Sequence, residues 1–123
     1  MLVKTQYVAL TEDNFNSEVI RAKTLVLVDC WASWCHPFRQ MNPVYDEMAI
    51  TWGEHTTLGR LNIAIHEKIA AHYGIRVVPT LLIFRDGKIV ERIIGTVTQQ
   101  DLSKKIGSLL AINSANRSRI AYL

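Results

Sequence analysis

Val28-Asp29-Cys30-Trp31-Ala32-Ser33-Trp34-Cys35-His36-Pro37-Phe38 is the stretch on which the fold turns. Before it, Leu25-Val26-Leu27-Val28 is a continuous apolar run, the signature of a strand buried on both faces. After it, Met41, Val44, Tyr45, Met48, Ala49 and Trp52 recur at steps of three, one, three, one and three. That spacing marks one face of a helix, which should begin near Cys35. Pro43 falls inside the pattern and should kink it. Cys35 therefore belongs at a strand-to-helix junction. A dithiol redox site there would need a second cysteine at position 38, and that position is Phe38.

Upstream, Thr11-Glu12-Asp13-Asn14-Phe15 reads as a helix start with Thr11 as N-cap, and Phe15, Val19 and Ile20 form a short apolar face. Downstream, Thr57 to Ile63 reads as a strand, and His66 to Tyr73 as a short helix closed by Gly74. Thr80 to Phe84 is a second buried strand. Arg85-Asp86-Gly87-Lys88 is a hairpin turn, and Ile89 to Ile94 returns as its partner. Leu102, Ile106, Leu109 and Leu110 mark a last amphipathic helix. Residues 113–123 have weak periodicity and read as a loose tail after a domain spanning 1–112. Strands alternating with helices imply right-handed parallel crossovers, and the hairpin adds an antiparallel pair. The fold class is α/β, a central mixed sheet of about five strands with helices on both faces.

Composition narrows the function. The chain has 123 residues, 49% apolar and 20% charged, which suits one globular domain with a real core. Fourteen basic and eleven acidic residues give a net charge of +3. Apart from Arg117 and Arg119 the basic residues are scattered, so no nucleic-acid partner is expected. No apolar run reaches the ~18 residues of a membrane span, and the N-terminus lacks the order of a signal peptide. A cytoplasmic protein with two reduced cysteines is expected. His55, His66 and His72 lack ligand spacing with either cysteine, so neither a metal nor another cofactor is expected.

Taken in order, the segments Val28 to Cys35, Leu61-Asn62-Ile63, Tyr73-Gly74-Ile75-Arg76-Val77-Val78-Pro79-Thr80, Phe84-Arg85-Asp86-Gly87 and Gly95 resemble a thioredoxin from about Val8 to about Ile112. The resemblance implies the thioredoxin fold. The family's Trp-Cys-Gly-Pro-Cys site reads Trp34-Cys35-His36-Pro37-Phe38 here, and Ala64 stands where the family usually has aspartate. By the same resemblance, Asp29 matches the family's buried aspartate and Arg60 the lysine near it. Asp29 then either tunes Cys35 through water or is only an ion-paired buried carboxylate. Val78-Pro79 matches the cis-proline that faces the active site, with Trp34, Val78, Pro79 and Gly95 lining a groove where extended peptides pair with the backbone.

Cys35 is the candidate nucleophile, since a helix start favours the thiolate. His36 is a candidate to stabilise that thiolate by charge. Phe38 cannot resolve a mixed disulfide and is expected only to fill space at the start of the helix. Cys30 should point away from the site, because side chains alternate along a strand. The leading expectation is a thiol-disulfide oxidoreductase with one nucleophilic cysteine. It would act on oxidised or glutathionylated proteins, with glutathione or another external thiol as the resolving partner. The alternatives are a redox-inert binding or assembly module that uses the same groove, and a sensor in which Cys35 is itself oxidised.

Overall fold

The computed structural model describes residues 7–34 and 40–121, with side chains up to residue 111. Cys35, His36, Pro37 and Phe38 lie outside the described residues, and so does the expected helix start near Cys35. Five strands form one sheet: β1 (Val8–Ala9), β2 (Leu25–Trp31), β3 (Thr56–Asn62), β4 (Thr80–Arg85) and β5 (Lys88–Ile94). Among the described residues three α-helices accompany them: α1 (Asn42–Trp52), α2 (Glu67–His72) and α3 (Gln99–Ala121). The spatial order is β1-β3-β2-β4-β5. The β1–β3 and β2–β3 pairs are parallel, and β2–β4 and β4–β5 are antiparallel.

Alternation along the strands divides the core in two. Val26, Val28 and Cys30 of β2 join Leu82 and Phe84 of β4 on one face, packed under Phe15, Val19, Ile69 and Ala70. Leu25 and Leu27 join Leu81 and Ile83 on the other, under Met41, Tyr45 and Met48 near and within α1 and Leu102 and Ile106 of α3. Both faces of β2 and β4 are thus sealed, which is why those strands read as unbroken apolar runs. Across the second face, Trp52 Nε1 donates to Ser103 Oγ at 3.2 Å, tying α1 to α3.

Local signals act as the sequence suggests, with three differences. Thr11 Oγ1 accepts from the Asn14 N–H at 3.2 Å while the Thr11 N–H donates to Asn14 Oδ1 at 2.8 Å, a reciprocal cap with asparagine in the third position. The turn that follows, Asn16–Ile20, has π-helical bonding, exemplified by Arg21 N–H to Asn16 O at 2.9 Å. Pro43 occupies the first turn of α1, where its missing N–H costs no helical bond, and not the interior of a helix where it would kink it. Asp86 and Gly87 have φ of 52° and 78°, as a tight hairpin turn requires. Last, the backbone of α3 is helical through Ala121, past the point where weak periodicity suggested a loose tail.

Candidate functional site

Topology gathers the candidate residues at one end of the sheet. Cys30 pairs with Thr80, and Thr80 pairs with Ile94, so the end of β2, the start of β4 and the end of β5 meet. Trp34 follows the first of these, Val78-Pro79 precedes the second and Gly95 follows the third. The Val78–Pro79 peptide bond is cis. Pro79 is buried, its carbonyl accepts the Gly95 N–H at 2.8 Å, and Thr80 Oγ1 donates to the Val77 carbonyl. Gly95 has φ of 89° and open space where a Cβ would stand, so it is kept by its backbone angle alone. Trp34 is 62% exposed, and Val77 and Ile94 are exposed with it. Each stands at or beside a strand end on this side of the sheet, and Ile50 and Ile65 are exposed as well.

A buried polar cluster lies behind that end, on the face covered by α1 and α3. Asp29 pairs in register with Arg60 of β3, and Arg60 Nε meets Asp29 Oδ2 at 3.2 Å. Asp29 has no exposed surface. Burial pushes its carboxyl above the usual carboxylate range, and Arg60 and the Tyr45 hydroxyl offset that only in part. Tyr45, in the first turn of α1, has its own phenol pushed up by burial and by the nearby Asp29 carboxylate. The Arg60 guanidinium also donates through Nη2 to Asn42 Oδ1 and lies over the Tyr7 ring, with Cζ 3.9 Å from the centroid. Asp29 Oδ1 and the Tyr7 hydroxyl are buried and have no hydrogen-bond partner among the described residues.

Sequence reasoning placed Asp29 and Arg60 together, and the structure does bring them together. It did not place Tyr7, Asn42 or Tyr45 there. Tyr45 carried only its apolar signal as a core position of α1, and nothing local distinguishes Tyr7 or Asn42 from ordinary surface residues.

Cys30 faces the other way. Its side chain is fully buried among Val28, Leu61, Ile69 and Leu82 in the opposite core. Burial, reinforced by the Asp29 charge, pushes its thiol up to about 12. Such a thiol is almost wholly protonated near neutral pH and is inert as a nucleophile. On the far side of the cap, His66 Nδ1 meets Glu12 Oε2 at 2.5 Å, and Asn62 Oδ1 accepts from the N–H groups of Ala64 and Ile65 at 3.0 and 3.3 Å. These bonds hold the loop that contains Ala64 without an aspartate. Among the described residues no His, Cys, Asp and Glu cluster could hold a metal ion, and no helix is long and apolar enough to cross a membrane.

Comparison with known proteins agrees with this architecture. The Thioredoxin family profile matches residues 6–108. A thioredoxin of Chlorobaculum thiosulfatiphilum is 37% identical over 101 residues, covering 82% of this chain and 94% of its own. Thioredoxin 1 of Synechococcus elongatus is 38% identical over 98 residues, covering 80% and 92%. A thioredoxin of Pyropia yezoensis is 38% identical over 102 residues, covering 83% and 95%. With a mixed five-stranded sheet in the order β1-β3-β2-β4-β5 and a family match over most of its length, the chain belongs to the thioredoxin family.

Proposed function

We propose that the protein is a thiol-disulfide oxidoreductase that works through Cys35 alone. The observation that carries this reading is the fate of the only other thiol. Cys30 is buried in the core of the opposite sheet face, with its thiol pushed up to about 12, and position 38 is phenylalanine. Neither residue is suited to attack a mixed disulfide on Cys35.

The Cys35 thiolate attacks one sulfur of a partner protein's disulfide. That S–S bond breaks, the other sulfur leaves as a thiolate, and a mixed disulfide joins Cys35 to the partner. An external thiolate then attacks the partner's sulfur, and Cys35 leaves as a thiolate. A second external thiol completes the reduction, so two external thiols become one disulfide while the partner gains two thiols. Glutathione and glutathionylated proteins fit these roles. A reducing, glutathione-containing compartment such as the cytoplasm would supply the resolving thiol. Trp34, Val78, Pro79 and Gly95 would receive the partner's extended chain. His36 would favour the thiolate as an imidazolium.

Intact-mass spectrometry of the reduced protein mixed with oxidised glutathione tests the reading. One adduct on Cys35 that clears on adding reduced glutathione is expected, and none on Cys35→Ser. Equal adduct formation by Cys35→Ser would overturn it. The exposed Trp34, Val77 and Ile94 favour a second reading, a redox-inert module that holds partners at the same end of the sheet. Absence of any adduct on a folded protein would select that second reading.

A further inference from the structure

We propose that Arg92 is a positioning residue for partner binding. Its guanidinium fixes the start of the loop 74–79, against which a partner's extended chain would lie. The proposal rests on the reading of Val78, Pro79 and Gly95 as the edge that receives that chain. Arg92 is in β5, directly opposite Leu82 of β4, and opposite residues of an antiparallel pair share a face. Leu82 packs in the core that holds Ile69 and Ala70 of α2, so the Arg92 side chain leaves the sheet on the α2 side. There its Nη2 donates to the Tyr73 carbonyl at 2.7 Å.

Tyr73 closes α2, and its carbonyl is one of the acceptors that a helix end leaves without an internal partner. A guanidinium satisfies that acceptor and suits the negative end of the helix. On the other side of the same peptide, the Gly74 N–H donates back to the Ala71 carbonyl at 3.2 Å. The Tyr73–Gly74 peptide is thus held at both of its polar atoms. The hold matters there, because Gly74 has φ of 66° and open space where a Cβ would stand. The Tyr73 ring packs against Phe15 and Phe84, with centroids 5.6 and 5.4 Å away, which fixes the side chain but not the plane of the peptide that follows.

The far end of the loop is tied as well. Thr80 Oγ1 donates to the Val77 carbonyl, and the Gly95 N–H donates to the Pro79 carbonyl at 2.8 Å. Arg92 and Gly95 are three residues apart, so the end of β5 brackets the loop at its start and at its finish. Between the two ties Ile75 is buried, while Arg76 and Val77 face solvent. Release of the first tie leaves the exposed part of the loop held mainly from one side.

The test compares the parent protein with Arg92→Met and Arg92→Lys. Circular dichroism and urea unfolding confirm that each is folded at the temperature used. Two exchange rates are read by intact mass at one pH. One substrate is a short neutral peptide, blocked at both ends, whose single cysteine is disulfide-bonded to mercaptoethanol. The other is hydroxyethyl disulfide, which has the same leaving thiol and no chain to bind. In both, Cys35 forms the new S–S bond and mercaptoethanol leaves as its thiolate.

If Arg92 positions the loop, Arg92→Met lowers the ratio of peptide rate to small-disulfide rate by about five-fold, the scale of one hydrogen bond. Arg92→Lys restores most of that ratio, since an ammonium still donates to a carbonyl. A changed Cys35 thiolate would move both rates together and leave the ratio alone. Two results overturn the proposal while leaving Cys35 as the nucleophile. One is a parent ratio in folded Arg92→Met. The other is a ratio that falls as far in Arg92→Lys, which keeps the charge and a donor. A parent protein that takes the peptide no faster than hydroxyethyl disulfide overturns the reading of the receiving edge, and the role of Arg92 with it. A parent that exchanges with neither overturns the reading of Cys35 first.

Discussion

Burial holds the Asp29 proton to higher pH than in the unfolded chain, because Arg60 and Tyr45 recover only part of what the carboxylate loses in leaving water. The ordinary value is 3.8 and the folded value lies above it. The folded state therefore binds more protons than the unfolded state between those two values. Stability falls as pH rises through that window and is level on either side of it. Asp29→Asn does not titrate, so its stability relative to the parent should rise as pH is raised through the window, measured by urea unfolding at a series of pH values. A relative stability of the variant that stays constant or falls as pH is raised would show that ion pairing matches or outweighs burial. Cys30 calls for a different test. Its thiol packs in a core and takes no part in exchange, so Cys30→Ala should form the Cys35 glutathione adduct at the parent rate. It should also lose about 1–2 kcal/mol of stability from the small void it leaves.

At the scale of elements, the strands were the most legible feature. Leu25 to Val28 and Thr80 to Phe84 announce burial on both faces because nearly every residue in them is apolar, and the β4–β5 pairing follows from its short turn. Thr11, Gly74 and Asp86-Gly87 announce ends and turns by their own chemistry. The polar cluster was half legible. Asp29 and Arg60 were found through family resemblance, but their contacts to Tyr7, Asn42 and Tyr45 depend on which helix crosses which strand, and no local pattern records that. The helical continuation of α3 through Ala121 was illegible for a related reason, since a helix can propagate beyond the stretch whose apolar spacing reveals it. Two glycines separate backbone strain from crowding. Both Gly87 and Gly95 have positive φ, but a Cβ at Gly87 would lie 2.9 Å from the Ile20 carbonyl oxygen, and one at Gly95 meets open space. Gly95→Ala should cost about 1–2 kcal/mol from its backbone angle. Gly87→Ala should cost more than Gly95→Ala in the same urea titration. Equal losses would mean that the hairpin moves away from Ile20 freely.

At the scale of the whole molecule, one sheet serves two separate cores. Val19 lies in one and Ile106 in the other, both almost completely buried. Ile106→Ala should cost about 2–5 kcal/mol. The losses for Val19→Ala and Ile106→Ala should add to within about 0.5 kcal/mol in the double variant, because the sheet keeps the two sites from sharing neighbours. A larger departure from additivity, seen in denaturant unfolding of the four proteins, would mean that strain passes through β2 and β4.

The pleat of β2 also sorts side chains by chemistry. Asp29 and Cys30 are adjacent in the chain, yet the carboxyl looks toward α1 and the thiol toward the opposite core. A slip of one residue in the pairing of β2 with β3 and β4 would exchange them, setting a second sulfur among the polar groups of Arg60 and Tyr45 and a carboxyl among Leu61 and Ile69. The pairing register that builds the sheet therefore also keeps one of the chain's two thiols on the face away from that polar cluster.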